Sequence, residues 1–438
     1  MRYRVGAIVF ATWLVVFWLP CHAQEAAKPA EVEQAFQDLL ADLSNPEKSY
    51  RYAQLAVQAG DIRGAIASLE RLLRLNPNLD NIRLELGVLY YRLGSTDLAL
   101  SYMRQAVKSP DIPPEIKHRA EEYIATAERQ ASPERFSGSL SLLGRYDTNV
   151  NLGPSSANIA GGTLNPEATA HSDFSVVLAG SAQYLRDLGL QDYSRLEVNG
   201  TAYVQRYKEQ DDFNIGLAQL DIGPGMQVGD IDSRPIFLRP YATGLYLGLG
   251  DESYLSQFGG GLTVTLPVSA DFAIHLNGEG SFLKFYNSDF RPTATDQTGP
   301  EARGVVTLTY AIAQNQQIEL IGGYVRDDAE KSFEAHDDRR IMLSYSIGLE
   351  SPIRNVKQPW LVTLGTAYFN LDYDSPDPHL PGTPSRHDDR FQVSLTTAFP
   401  ISDSWAIIAA VGYTRNNSNV EFDDYDNVDV FTGIEWTF

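Results

Sequence analysis

The chain closes on Asp429-Val430-Phe431-Thr432-Gly433-Ile434-Glu435-Trp436-Thr437-Phe438. Counted back by twos from Phe438, one set of side chains is Trp436, Ile434, Thr432, Val430 and Val428. The other is Thr437, Glu435, Gly433, Phe431 and Asp429. The first set is apolar with aromatics at its end, and the second is mostly polar or small. Side chains alternate across a β-strand, so the pattern describes a strand with lipid on one side and water on the other. A buried last strand of a soluble sandwich is the competing reading, and the rest of the chain has to separate the two.

The same two-residue period recurs upstream. From Phe136 on, strand-like segments fall at residues 136–147, 173–184, 192–206, 213–226, 235–249, 254–267, 271–285, 301–313, 316–327, 338–350, 359–371, 389–400, 404–415 and 426–438. Phe272, Ile274, Leu276 and Phe282 share one face of the seventh, against His275, Asn277, Glu279 and Ser281. Short links such as Ser269-Ala270 and Ser402-Asp403 alternate with long polar ones such as 151–172, 287–300 and 372–388. Outer-membrane barrels have this loop asymmetry, and an even strand count returns both ends of the barrel to one side. A sandwich gives no reason for the alternation. Abundant Tyr and Phe (23 and 19) and 34 Gly fit a wall of which only alternate residues face lipid. The predicted lumen mixes Arg145, Arg195, Glu197, His275, Glu279, Arg340, Glu350 and Glu435.

Ahead of Ser132-Pro133 the period is helical, with Val32, Ala35, Phe36, Leu39, Leu40 and Leu43 on one stripe. Asn45–Asn78 then aligns with Leu79–Ile112 at an offset of 34 residues. Ala53 pairs with Gly87, Gly60 with Gly94, Ala65 with Ala99, Leu69 with Met103 and Leu72 with Ala106. These are small and apolar positions where antiparallel helices cross closely, and the unit resembles the tetratricopeptide repeat. A polar helix over about 114–130 reads as a cap. Repeat geometry puts Glu47, Tyr50, Gln54, Gln58, Asn81, Tyr91 and Arg92 on the concave face. That face reads either as a docking groove for an extended peptide or as the solvated side of a spacer.

At the N-terminus, Arg2 and Arg4 precede an apolar run from Val5 to Leu19, and Cys21-His22-Ala23 offers small residues at a cleavage site. This is the pattern of a secretory signal peptide over residues 1–23. Trp18-Leu19-Pro20 lacks the small residues of a lipidation site at Cys21. Cleavage after Ala23 leaves no cysteine, hence neither disulfides nor a thiolate metal site. The domains expected are the leader, a tetratricopeptide-repeat domain at 24–131 and a barrel at 132–438. The fold class is thus an α + β multidomain chain: an α-helical solenoid followed by a transmembrane antiparallel β-barrel of about 14 strands. With 56 acidic against 35 basic side chains, nucleic acid is not an expected partner.

Two groups invite a chemical reading. His336-Asp337-Asp338-Arg339 and His387-Asp388-Asp389-Arg390 both stand where a long loop enters a strand, and Asp211-Asp212, Asp251-Glu252 and Asp423-Asp424 stand at similar places. Asp and His pairs could activate water or hold a divalent cation. Their recurrence favours a general rim of hydrated charges interacting with lipopolysaccharide and its bridging cations. No Gly-x-Ser-x-Gly, His-Glu-x-x-His or phosphate loop occurs, so no catalytic, cofactor-binding or metal-binding residues are expected. The second group is Arg145-Tyr146-Asp147-Thr148-Asn149-Val150-Asn151. Tyr146 continues the face of Leu140 and Leu142, so Arg145 and Asp147 should face the lumen. Asn149 and Asn151 either fold inward with the first loop or bond the backbone of their own turn.

The leader, the short repeat domain, the Tyr-Asp-Thr-Asn-Val-Asn segment opening the barrel, the Asp-Asp-Arg strand entries at 337–339 and 388–390 and the terminal Phe438 together resemble the surface lipoprotein assembly modulator family. The resemblance implies delivery of lipoproteins, or in some members soluble proteins, across the outer membrane. It also implies a helical domain in the periplasm. On this reading Ile434, Trp436 and Phe438 form the signal read by the barrel assembly machinery, and the cargo is a periplasmic or surface protein. An exopolysaccharide export porin and a passive porin are the alternatives.

Overall fold

The computed structural model describes residues 29–42, 45–93, 95–108, 114–131, 134–159, 162–189, 194–232, 234–380 and 382–438. The expected leader lies outside the described residues, as do Gly94, residues 110–112 and the expected start of the third strand at 192–193. The chain divides into two compact units between Arg135 and Phe136.

The first unit is helical: α1 (Pro29–Ala41), α2 (Pro46–Gln58), α3 (Ile62–Leu75), α4 (Asp80–Arg92), α5 (Thr96–Val107) and α6 (Pro114–Ala131). Asn45 opens α2, its side-chain oxygen accepting from the N–H groups of Glu47 and Lys48 at 3.0 and 3.2 Å. Pro46 follows in the first turn, where its missing N–H costs nothing. Gly60, at φ +85°, supplies the left-handed turn that ends α2, and Asp61 caps α3 by accepting from Gly64 N–H. The positions paired by the 34-residue offset form the core: Ala53, Ala65, Ala99, Leu69, Met103, Leu72 and Ala106 are each at most 2% exposed. Gly87 shows why one of them is glycine. A Cβ there would stand 2.5 Å from Met103 Cγ and 3.2 Å from the Ala99 carbonyl oxygen, so α4 and α5 meet in the space of the missing methyl.

The second unit is a closed barrel of fourteen antiparallel strands. They are β1 (Glu134–Asp147), β2 (Asp173–Asp187), β3 (Arg195–Tyr207), β4 (Ile215–Ile231), β5 (Arg234–Leu249), β6 (Glu252–Pro267), β7 (Phe272–Phe285), β8 (Gly299–Ala313), β9 (Gln316–Asp327), β10 (His336–Leu349), β11 (Trp360–Tyr373), β12 (His387–Pro400), β13 (Trp405–Ser418) and β14 (Tyr425–Thr437). Each strand pairs with its sequence neighbour, and β1 pairs with β14 from Ser139↔Thr437 to Asp147↔Asp429. β4 runs well past its expected end at 226 because a bulge between Gln227 and Gly229 breaks the two-residue alternation that marks a strand in sequence. A two-residue hairpin, Asn158–Ile159 with Gly162–Thr163, lies inside the first long loop. It is too short to carry a readable period.

The loop asymmetry has two exceptions. β5 and β6 meet at the long-loop end through Gly250 and Asp251, both left-handed (φ +61° and +63°), the geometry of a tight two-residue hairpin. At the other end, residues 350–359 make a longer link between β10 and β11. Glu350 therefore sits past the end of β10 and not on a lumen strand.

The middle of the outward face is apolar. Leu140, Leu178, Leu220, Val306, Ile341, Leu364, Leu395 and Ile434 stand 43–53% exposed. Exposed aromatics bracket this band: Tyr146, Tyr246, Tyr324, Tyr368 and Tyr413 towards the long loops, and Phe136, Tyr310, Trp405, Trp436 and Phe438 towards the chain ends. A soluble sandwich would bury such a face. An apolar belt between aromatic girdles is the surface of an outer-membrane barrel. Among the described residues no helix is long and apolar enough to cross a membrane.

Candidate functional site

Because strands alternate, an apolar outer face forces the polar residues inward. At the chain-end half of the lumen they make a hydrogen-bonded belt. Gln183 donates to Asn199 and Asn199 to Asp221, each at 2.9 Å, and Arg239 pairs with both Asp221 and Glu197. Tyr241 donates to Glu279 at 2.8 Å and accepts from Asn277 at 2.8 Å. The guanidinium of Arg239 lies over the Tyr241 ring, 5.1 Å from its centre. Gln183 stays exposed, and Asn199, Arg239 and His275 are half-buried, so this part of the wall faces solvent.

The long-loop half is different. There every strand carries a buried inward residue, from Asp147 on β1, Gln205 on β3 and Leu249 on β5 to Val325 on β9, Phe369 on β11 and Asn416 on β13. Ile215, Leu247, Leu249, Tyr254, Leu283, Phe285 and Ala294 form one apolar cluster, and Ala367, Phe369 and Leu371 another. The loops cover them and are bonded to one another. Glu330 N–H donates to the Thr298 carbonyl and Lys331 N–H to that of Asp296. Asp374 N–H donates to the Ala335 carbonyl, the Ser332 and Ser375 hydroxyls lie 2.8 Å apart, and Asn419 donates to the Ser385 carbonyl. Four successive long loops, 286–298, 328–335, the described residues of 374–386 and 419–424, are thus bonded into one continuous cap over these buried residues.

Buried arginines fasten the cap. Arg386 is 8% exposed, donates along its edge to Asp388 and pairs with Asp423 at 2.8 Å, under the Tyr373 ring at 4.9 Å. These two carboxylates hold the Arg386 guanidinium charged despite its burial. Arg340 pairs with Asp338 and covers Phe369. These contacts correct the expectation that the rim charges stay hydrated. Asp338, Asp388 and Asp423 point inward, at most 7% exposed, and are neutralised by arginine. Their neighbours face outward: Asp337 accepts from Tyr324, Arg339 pairs with Asp372 at 2.7 Å, and His387 contacts Asp372 at 2.5 Å. The His-Asp-Asp-Arg motif is therefore split by the strand period between two environments. Asp211, Asp212, Asp251 and Glu252 are exposed. Among the described residues no group of three or more His, Cys, Asp or Glu is arranged to hold a metal ion.

The first-loop motif divides in the same way. Arg145 and Asp147 face the lumen and are joined by two hydrogen bonds at 2.9 and 3.0 Å. Asn149 and Asn151 serve the backbone. Asn149 donates to the carbonyls of Gly153 and Asp426 and accepts from Gly153 N–H. Asn151 donates to the Thr169 carbonyl and accepts from His171 N–H. Asn427 of β14 was not singled out in the sequence, yet its side chain accepts from Thr148 and from Asn149 N–H and donates to Asp147. Its partners lie about 280 positions away, so nothing local marks it.

Ile434, Trp436 and Phe438 face outward, 38–43% exposed. Phe438 exchanges two main-chain hydrogen bonds with Gly138, and its ring meets Phe136 at 5.4 Å and Trp436 at 4.8 Å.

The residues expected on the concave helical face differ in exposure. Gln54 and Gln58 line a small cavity of about 220 Å³ with Glu31, Gln34, Arg51 and Leu55. Glu47, Asn81 and Arg92 are exposed. Tyr50 and Tyr91 are half-buried, each packed against one of the hydrophobic clusters of the helical unit.

Residues 50–113 match the tetratricopeptide repeat family. The helical region is a tetratricopeptide-repeat domain. Among solved structures, MamA matches it with 22% identity, covering 22% of this chain and 50% of that one (TM-score 0.19), so the match spans half the length of MamA. The barrel is similar to the anion-selective porin from Comamonas acidovorans (9% identity, 70% of this chain and 99% of that one, TM-score 0.36). It is also similar to Pseudomonas aeruginosa OprD (10%, 69% and 95%, TM-score 0.34). Among curated proteins none matches the chain.

Proposed function

We propose that this is a non-enzymatic outer-membrane translocation protein. Its tetratricopeptide domain lies in the periplasm and captures cargo, a lipoprotein or small protein, and the barrel promotes delivery of that cargo to the surface. This is the role implied by the resemblance to surface lipoprotein assembly modulators. One observation supports it: the inward residues are polar and partly exposed towards the end where β1 starts and β14 stops, but buried beneath mutually bonded loops towards the other. A passive porin needs an open route, whereas a capped barrel joined to a peptide-binding repeat suits gated delivery. The cavity beside Gln54 and Gln58 offers side-chain amides that can pair with a peptide main chain. The barrel assembly machinery would read Ile434, Trp436 and Phe438, and lipopolysaccharide would meet the outward charges at Asp337, Arg339, Asp372 and His387.

The belt of amide, carboxylate and tyrosine groups around Asn199, Asp221, Tyr241 and Glu279 favours a second reading, since such groups also bond sugar hydroxyls: export of an exopolysaccharide. Deleting the gene and cataloguing surface molecules separates the two. Loss of a surface protein that returns with the wild-type gene but not with Gln54→Ala/Gln58→Ala supports the first reading. Loss of a polysaccharide with all surface proteins intact overturns it.

A further inference from the structure

Arg291 stands apart from the arginines that fasten the rest of the cap. It sits in the loop at 286–298 and is 5% exposed. Its guanidinium lies among three rings, 4.9 Å from the centre of Phe290 and 5.8 Å from those of Phe213 and Tyr254. It donates one hydrogen bond, at 2.8 Å, to the Asp212 carbonyl, and its Nε has no acceptor. No carboxylate of the described residues is within ion-pair distance of it; Asp212 and Glu252 act only from further off, and burial pulls its pKa down. Arg145, Arg340 and Arg386 each have a carboxylate partner. Arg390 has only the Asn416 amide, but it belongs to β12 and is held by the ladder. Arg291 is on a loop, outside the strand ladder.

A buried cation without a counter-charge works against the state that buries it, because water would solvate it better than three rings and one carbonyl do. The rings still favour the inserted position enough to hold it there. An inserted group that is only weakly preferred is what a lid requires, since local opening must cost far less than unfolding.

We propose that loop 286–298 is the moving part of the cap, and that the unpaired Arg291 in its cage of Phe213, Tyr254 and Phe290 is the latch that sets how readily it opens. The end of the next-but-one long loop, 382–386, held by Arg386 between Asp388 and Asp423, is the fixed part. Opening then begins over the β3–β8 sector, above the apolar cluster of Ile215, Leu249 and Phe285. The inference deepens the reading of the barrel as a gated conduit and rests on it.

The test is hydrogen–deuterium exchange of the full-length protein in lipid nanodiscs, which needs no cargo. In the wild type, amides of 286–298 should exchange at least about tenfold faster than those of 382–386. Arg291→Met keeps most of the bulk and removes the charge, so it should slow exchange of 286–298 several-fold. Arg386→Met strands two buried carboxylates and should speed exchange of 382–386. If Arg291 is an ordinary anchor, Arg291→Met will speed exchange of its loop as Arg386→Met does; that result, or no change, overturns the proposal. Should Arg291→Met not fold, the wild-type comparison still decides: equal exchange in the two loops overturns the idea. Because exchange is read without transport, failure here leaves the delivery reading standing. Loss of that reading in a deletion strain would remove the conduit the latch serves without altering the exchange result, so the two failures are told apart.

Discussion

Arg145 of β1 faces Asp429 of β14 across the strands that close the barrel, 3.6 Å from guanidinium to carboxylate. Arg145 also holds Asp147, so one cation fastens the lumen side of the seam near the long loops. At the other end of the seam, on the lipid side, Phe136 meets Phe438. Each end uses the chemistry its surroundings allow: an ion pair where polar groups are enclosed, and stacked rings at the membrane interface.

Between them Gly433 lies hard against β1, where a Cβ atom would overlap the Leu142 carbonyl oxygen and stand 2.7 Å from Leu143 Cα. Gly433→Ala should cost about 1–3 kcal/mol by overpacking. The folded, heat-modifiable band on a gel should then disappear at a lower temperature. Gly278→Ala, whose Cβ would meet nothing within 4 Å, is the control. Equal shifts in the two would mean that the contact at the seam has no special weight.

Arg386 and Arg104 make opposite predictions from similar pairs. Arg386→Ala abandons Asp388 and Asp423 at 0% and 7% exposure and should cost about 3–5 kcal/mol in urea unfolding. Arg104 pairs with Glu128 at 2.6 Å, but both side chains are about half exposed (55% and 48%). Water already screens that pair, so Arg104→Ala should cost under about 1 kcal/mol.

Asn427→Ala should free the first long loop. The side chain bonds Thr148, Asn149 N–H and Asp147 in a buried site. Stranding these groups costs about 1–3 kcal/mol. Cleavage of residues 151–172 by an added protease should quicken, while cleavage elsewhere in the barrel stays unchanged. Unaltered cleavage would place the loop's anchorage elsewhere.

The helical domain should weaken in alkali. The Glu70 carboxylate accepts the Tyr90 hydroxyl at 2.6 Å and pushes its pKa up to about 12. A raised folded value means the contribution is complete below the unfolded tyrosine value of about 10 and is lost as pH rises through about 12. Helical circular dichroism during thermal melting should fall in that window for the wild type. Tyr90→Phe should flatten this dependence, and an unchanged slope would exclude Tyr90 as its source.

Much of the fold is legible in one dimension because its signals are local. The two-residue period of Phe272 to Phe282 and the 34-residue offset joining Ala53 to Gly87 each lie within one or two elements. The β4 bulge and the Gly250-Asp251 turn escaped because each disrupts the period that would announce it. Of the candidate site, the inward placement of Arg145 and Asp147 follows from counting. The burial of Asp338 and Asp388 does not, because the sequence shows which side of the wall they face and not what lies opposite. Tyr50 and Tyr91 show the converse: a half-buried ring against a core has the same spacing as one lining a groove.

By itself the sequence determined a helical repeat, a barrel of fourteen strands and which residues face lipid, since periodicity is a property of neighbours along the chain. Only the tertiary structure decided that the long loops interlock, that Arg386 and Asp388 are buried together while Arg291 is buried without a carboxylate partner, and that the inward residues of the long-loop half are buried. Those facts depend on groups tens to hundreds of residues apart being brought within a few ångströms, and it is there that burial turns an ordinary charge into a fastening or a latch.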